Sequence, residues 1–248
     1  MLNLRREIEL VTKYCDLEAG YKAKAIEDVR TPIFDEGELL AIRLDGVSLS
    51  RKYLKNAMHT PLFNTAMREA VTYTIEYLNR EVGANSEISL AGMSCSDEAS
   101  IIFTEHDNDF SHRKMKACTV VAGAFSSYFN KAFGDEALCS FDARPIILSD
   151  EYHGVEYMLH RFAVFIRNSM TKLLRLHGLD RKLLYETHYN DVLWLFQTCA
   201  EEKLLDELYR VYRGPVIQLP LAGQVRNFPT LDSAEAELGY LIDTTNLA

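Results

Sequence analysis

Between Glu38 and Leu148 short apolar runs alternate with longer amphipathic stretches, and this order restricts the fold more than any other feature of the chain. Glu38 to Leu44 is a short apolar run closed by Asp45-Gly46, which suits a buried strand that delivers an aspartate at its end. Thr65 to Val82 sets Ala66, Ala70, Val71, Ile75 and Leu78 at helical spacing, and Gly83-Ala84-Asn85 stops the pattern. Ile88 to Ala91 and Ala99 to Phe103 flank Ser94-Cys95-Ser96-Asp97-Glu98, which predicts a β-hairpin with acidic residues at its turn. Lys114 to Phe133 returns to helical spacing, Phe141 to Leu148 reads as a strand, and Glu151 to Leu176 reads as a long helix ended by Gly178.

The flanks add helices. Asn3 to about Arg30 reads as amphipathic helix broken near Gly20 and stopped by Thr31-Pro32, and Arg181 to Tyr212 as one or two further helices carrying Trp194. Gly214-Pro215 and Pro220 then open a tail with little periodicity. Strand, helix, strand, strand, helix, strand is the ferredoxin-like arrangement, which is also the core of polymerase palms. The expected fold is therefore α+β, an antiparallel sheet with added helices covering one face. One palm-type catalytic domain is expected over residues 1–248, with an N-terminal helix over about 1–30 and a C-terminal helical extension over about 179–248. Fold alone does not name a function.

Composition excludes several classes. Hydrophobic residues at 48% and charged residues at 25% are those of an ordinary globular protein. No apolar stretch approaches the roughly 20 residues of a membrane helix, and Met1 to Leu10 alternates charge with aliphatics, so a cytoplasmic protein with no membrane partner is expected. The five cysteines show no C-x-x-C pair and are read as buried thiols, and the histidines show no metal-triad spacing. A net charge of −9 argues against indiscriminate adhesion to nucleic acid, so any RNA binding has to come from a local basic face.

Phosphoryl transfer needs charge neutralisation on the triphosphate and a lowered proton affinity on the attacking hydroxyl, which a pair of magnesium ions supplies. Magnesium takes one or two carboxylates plus phosphate oxygens and water, so an aspartate at a strand end and another in a facing hairpin suffice. Asp45 and Asp97 hold those places, and Gly46 would let its carbonyl approach a metal. By spacing alone, Asp-Gly equally suits a plain turn and an acidic hairpin tip a solvated one. Arg161, Asn168, Lys172 and Arg175 share one face of the long helix, which could meet phosphates.

Ile42-Arg43-Leu44-Asp45-Gly46, then Ser94 to Ser100, then His112-Arg113-Lys114-Met115-Lys116 and Ser140-Phe141-Asp142-Ala143-Arg144 resemble the ordered motif series of the tRNA-histidine guanylyltransferase superfamily, over about Leu40 to Asn168. The resemblance implies two magnesium ions on Asp45, Gly46 and Asp97, with Glu98 as the acidic neighbour among the catalytic carboxylates. It also implies triphosphate contacts from Ser96, Arg113, Lys116 and Asn168, with GTP and secondarily ATP as the nucleotide. Ile166-Arg167-Asn168-Ser169 differs from the His-Ile-Asn-Asn segment usual in eukaryotic guanylyltransferases. Bacterial and archaeal relatives that repair truncated tRNA 5′ ends against a template are thus the nearer functional likeness.

The expectation is a magnesium-dependent nucleotidyltransferase adding nucleotides in the 3′-to-5′ direction to tRNA or another structured RNA, with RNA contacts from Arg161, Lys172 and Arg175. A homo-oligomer, a tetramer, is implied by the likeness alone. Two rivals stay open: a palm-fold cyclase or nucleotidyltransferase acting on small nucleotides, and a weakly catalytic RNA-binding palm protein.

Overall fold

The computed structural model describes residues 4–30, 38–49, 61–82, 89–95, 97–103, 110, 113–134, 138–176, 191, 216–219, 224–227 and 230–245. They divide into two compact units, one of Ala19–Gly154 with Pro215–Asn227, the other of Met1–Glu18, Val155–Gly214 and Phe228–Ala248.

The first unit is built on a sheet of β1 (Leu39–Gly46), β2 (Ser89–Cys95), β3 (Glu98–Phe103), β4 (Phe141–Leu148), β5 (Val216–Leu219) and β6 (Gln224–Asn227). Their order is β4-β1-β3-β2-β5-β6, and every neighbouring pair is antiparallel. The first four strands in the order 4-1-3-2 give the expected α+β palm core. The tail expected to lack periodicity instead contributes β5 and β6, which extend the sheet beyond β2.

Helices α3 (Pro61–Tyr77, continued by a π turn over Leu78–Val82) and α4 (Lys114–Phe133) cover one sheet face. In α4 the buried positions Ala117, Val121, Phe125 and Phe129 recur every four residues and form one stripe. That stripe meets Leu40, Ile42 and Leu44, the alternate residues of β1 that point the same way. A Cβ on Gly92 would lie 2.5 Å from Ile75 and 2.7 Å from Val71, so the bare backbone of β2 is what lets α3 lie this close. Asn130 fixes the return to β4: its amide donates to the Cys139 carbonyl at 2.8 Å and accepts from the Cys139 N–H at 2.8 Å.

The outer edge of β4 carries Pro145, as edge strands allow. There the Ile147 N–H donates to Asp28 at 2.8 Å, so the carboxylate of α2 (Glu18–Asp28) closes part of the edge. The N-terminal helix breaks at Asp16-Leu17, between α1 (Leu4–Cys15) and α2, and not near Gly20. Gly20 is exposed within α2, where a glycine costs only about 1 kcal/mol and does not force a break.

The second unit contains α1, most of α5 (Glu151–Leu176) and α6 (Leu231–Thr245). Glu7 is buried, and its carboxylate accepts the N–H groups of Leu231 at 3.0 Å and Asp232 at 2.9 Å, capping the start of α6. Glu235 of α6 accepts from Lys13, Tyr14 and Arg6, each at 2.8 Å. Burial pushes the Glu235 carboxyl up, but the Lys13 and Tyr14 hydrogen bonds outweigh it and hold the group below the ordinary range. Tyr14 is pushed up to about 12, by burial first and by Glu235 second. The helices expected over 181–212 lie outside the described residues. The four described cysteines, Cys15, Cys95, Cys118 and Cys139, are buried thiols. Among the described residues no helix is long and apolar enough to cross a membrane.

Candidate active site

Strand alternation sorts the sheet into two faces. Opposite the helix-covered core, β1 presents Ala41, Arg43 and Asp45, β3 presents Glu98 and Ser100, and β4 presents Asp142 and Arg144. Toward the start of β1 this face is apolar and buried, with Ala41, Ile102 and Ile146 side by side. Toward its end it turns acidic, because Asp45 stands directly opposite both Glu98 and Asp142. Carboxylates facing one another across strands repel, so this row calls for cations.

Arg43 supplies one. Its terminal nitrogen donates to Asp45 at 3.3 Å and, more closely, to Glu98. Arg144 pairs with Asp142 at 3.4 Å, and both side chains are about half exposed. Asp45 and Glu98 keep 35% and 21% of their side-chain surface, so both remain open to a ligand.

The hairpin joining β2 to β3 is tighter than expected. The ladder continues to the Cys95–Glu98 pair, beyond the apolar runs that predicted the two strands. The Asp97 carbonyl accepts the Gly46 N–H at 3.2 Å, so the hairpin tip is tied to the end of β1 where Asp45 and Gly46 lie. A Cβ at position 46 would come within 2.1 Å of Leu49, a buried side chain, and glycine is the residue that fits. The Asp97 backbone is thus held beside Gly46 at the end of β1 that carries Asp45, and carboxylate and carbonyl oxygens are the hard donors magnesium takes. Among the described residues no three Asp, Glu, His or Cys side chains converge on one point to cage a metal, so such an ion would have to complete its shell from phosphate and water.

Other expected residues lie elsewhere. Arg113 and Lys116 are exposed at the start of α4, and the Lys116 ammonium stands 5.9 Å from the Phe110 ring centre. Phe110 packs edge-on to Phe103, which pairs with Leu40. That is five residues from Asp45 along β1, about 17 Å of strand. The buried Lys114 ammonium, whose pKa burial lowers, senses Asp28 and Glu38 at this same end. Since α4 also packs on the face away from Asp45, the structure does not bring Arg113 or Lys116 beside the carboxylates. The reason is topological: β3 runs away from Glu98, and α4 begins where β3 ends.

Arg161, Asn168, Lys172 and Arg175 belong to the second unit. Asn168 is exposed and accepts from Arg167 at 3.3 Å, and Arg167 also pairs with Glu18 at 2.5 Å. Arg161 is 7% exposed, which counts against a phosphate-facing role and departs from the single exposed face expected. Ser96 and the side chains of Lys172 and Arg175 lie outside the described residues. The residue that sequence reasoning passed over is Arg43. Its signal was present: a cation in an apolar strand, two positions before Asp45, shares the face of Asp45.

The family model for tRNAHis guanylyltransferase (Thg1) matches residues 22–149, just over half of the chain. No curated protein matches. A bacterial tRNA(His) guanylyltransferase (Thg1)-like protein in complex with ATP is 19% identical at a TM-score of 0.58, over 85% of this chain and 92% of its own. The tRNA(His) guanylyltransferase of Saccharomyces cerevisiae is 16% identical at a TM-score of 0.51, over 82% of this chain and 94% of its own. A bacterial Thg1-like protein in complex with GTP is 23% identical at a TM-score of 0.46, over 62% of this chain and 74% of its own. The likeness to the first two structures is one of fold.

Proposed function

The chain belongs to the tRNAHis guanylyltransferase family of nucleotidyltransferases, and from that premise we propose that it adds nucleotides, template-dependently and in the 3′-to-5′ direction, to the 5′ end of tRNA or a related structured RNA. The observation that carries this reading is the union of Asp45, Gly46 and Asp97 at one end of β1 through the Gly46 to Asp97 hydrogen bond. Asp45, Asp97 and the Gly46 carbonyl would hold two magnesium ions, which neutralise triphosphate charge and lower the proton affinity of the attacking hydroxyl. The chain's own part is to present these oxygens on a rigid sheet end, with Arg43 holding Asp45 and Glu98 in place.

The substrate would be a nucleoside triphosphate, GTP and secondarily ATP, a reading supported by the ATP in the bacterial relative. Asn168 and Ser96 would meet the triphosphate, and Lys172 and Arg175 the RNA. By likeness the protein would act as a homo-oligomer, a tetramer, in the cytoplasm.

The test is incorporation of labelled GTP or ATP into a tRNA lacking its 5′ nucleotide, with the opposing template base varied. Incorporation that follows the template base is expected. Product formed only from small nucleotides, or none with any RNA, would replace this reading with one of a small-molecule nucleotidyltransferase or an RNA-binding protein.

A further inference from the structure

Arg43 is poised between two carboxylates in an unusual way. A single terminal nitrogen serves both Asp45, at 3.3 Å, and Glu98, more closely, while its Nε is buried with no acceptor. An arginine placed for its own hydrogen bonding would satisfy Nε. Here the side chain gives up that bond to bring positive charge into the row formed by Asp142, Asp45 and Glu98. We infer that Arg43 is the internal counter-cation of the metal site: without a divalent ion it bridges Asp45 and Glu98, and when an ion takes Asp45 it withdraws to Glu98 alone. Glu98 then acts as a positioning residue that holds Arg43, and not as a metal ligand. This rests on the reading of Asp45 as a metal ligand.

The geometry sets the direction of exchange. Arg43 and a divalent ion compete for the same carboxylate, and the longer contact, to Asp45, is the one that yields. The resident charge keeps Asp45 ordered but opposes the first ion. Because one nitrogen does the bridging, a lysine could replace the guanidinium here, whereas a neutral residue could not.

The experiment is a manganese titration of the full-length protein, without nucleotide, followed by the spin resonance of free Mn2+. Arg43→Gln should bind Mn2+ roughly tenfold more tightly than wild type, since a full charge beside a divalent ion is removed. Arg43→Lys should bind as wild type does. Glu98→Gln should bind more weakly, because Arg43 then turns wholly to Asp45. The double variant decides the role of Glu98: adding Glu98→Gln to Arg43→Gln should weaken binding clearly less than Glu98→Gln does alone, since part of the single variant's loss acts through Arg43.

Unchanged or weaker binding in a folded Arg43→Gln protein would overturn the inference. So would a loss in the double variant as large as that of Glu98→Gln alone. Asp45→Ala separates this from the underlying reading: if it binds Mn2+ as wild type does, or if wild type binds none, the metal reading falls and the inference with it.

Discussion

A Cβ at position 46 would lie 2.1 Å from Leu49 Cδ1 and 2.6 Å from Cγ, so packing favours glycine at the position whose carbonyl is proposed as a metal ligand. Gly46→Ala should therefore lower stability by about 1–3 kcal/mol, the usual range for overpacking, and a denaturant midpoint reads it. Leu49→Ala opens a cavity of its own, yet the two changes together should cost less than their sum, because the smaller side chain makes room for the new methyl. Additive losses would place the constraint in the backbone. Asp45 and Asp97 predict a different signature. Asp45→Ala or Asp97→Ala should leave the fold intact and reduce nucleotide addition by at least about 10²–10³-fold, since charge stabilisation is removed from the transition state. Together they should add little, because either alone disables the same unit. Near-normal activity of either variant at saturating magnesium would defeat the assignment.

At the scale of elements, the cap of α6 makes a pH-dependent prediction. Burial pushes the Glu7 carboxyl above its ordinary 4.5, opposed in part by the Asp232 and Leu231 N–H groups and by Arg6, while the Asp232 charge raises it further. The folded state thus holds the proton more tightly than the unfolded one. The stability from this group is fully present below the unfolded value of 4.5 and is lost as pH rises through the folded value. Glu7→Gln keeps an uncharged acceptor and has no such slope. Melting of both proteins from acid to neutral pH should show wild type losing ground to Glu7→Gln as pH rises, and a constant difference would refute the shift. The elements themselves were legible to the degree that they were periodic. The α4 stripe is long enough to reveal which face is buried, whereas β1 is a continuous apolar run up to Arg43 and shows no alternation before it. Strands β5 and β6 have four residues each, too few for a period to stand out from a loop, and their place is fixed by pairing with β2 and with each other. Asp45, Gly46 and Asp97 could be singled out as candidates because a strand end and a hairpin tip are places where side chains project, and the structure ties the two together through the Gly46 N–H and the Asp97 carbonyl. Arg113 and Lys116 lie away from these residues, and motif order along a chain does not say which end of a sheet each motif reaches. The run of β3 does say it, for a helix that follows β3 starts at the end opposite Glu98.

For the whole molecule the governing quantity is a net charge of −9, which repels a polyanion at long range and leaves RNA binding to a local basic surface. Lys172 and Arg175 on α5 are the residues proposed for it, and Arg161 of the same helix is buried. A simple consequence separates local contact from general attraction. If Lys172 and Arg175 each meet one phosphate, Lys172→Ala and Arg175→Ala should each weaken tRNA binding and reduce the slope of log K against log salt by roughly 0.7–0.9. The slope should fall by about twice that in the double variant, because phosphate contacts release counterions independently. If these residues instead serve only the nucleoside triphosphate, the KM for nucleotide should rise while RNA affinity and its salt slope stay put. Filter binding of a 5′-truncated tRNA across a salt series, paired with nucleotide kinetics on the same variants, distinguishes these cases. Unchanged values of all three quantities would leave Lys172 and Arg175 as solvated surface, and the RNA would then have to be held by another part of an otherwise acidic chain.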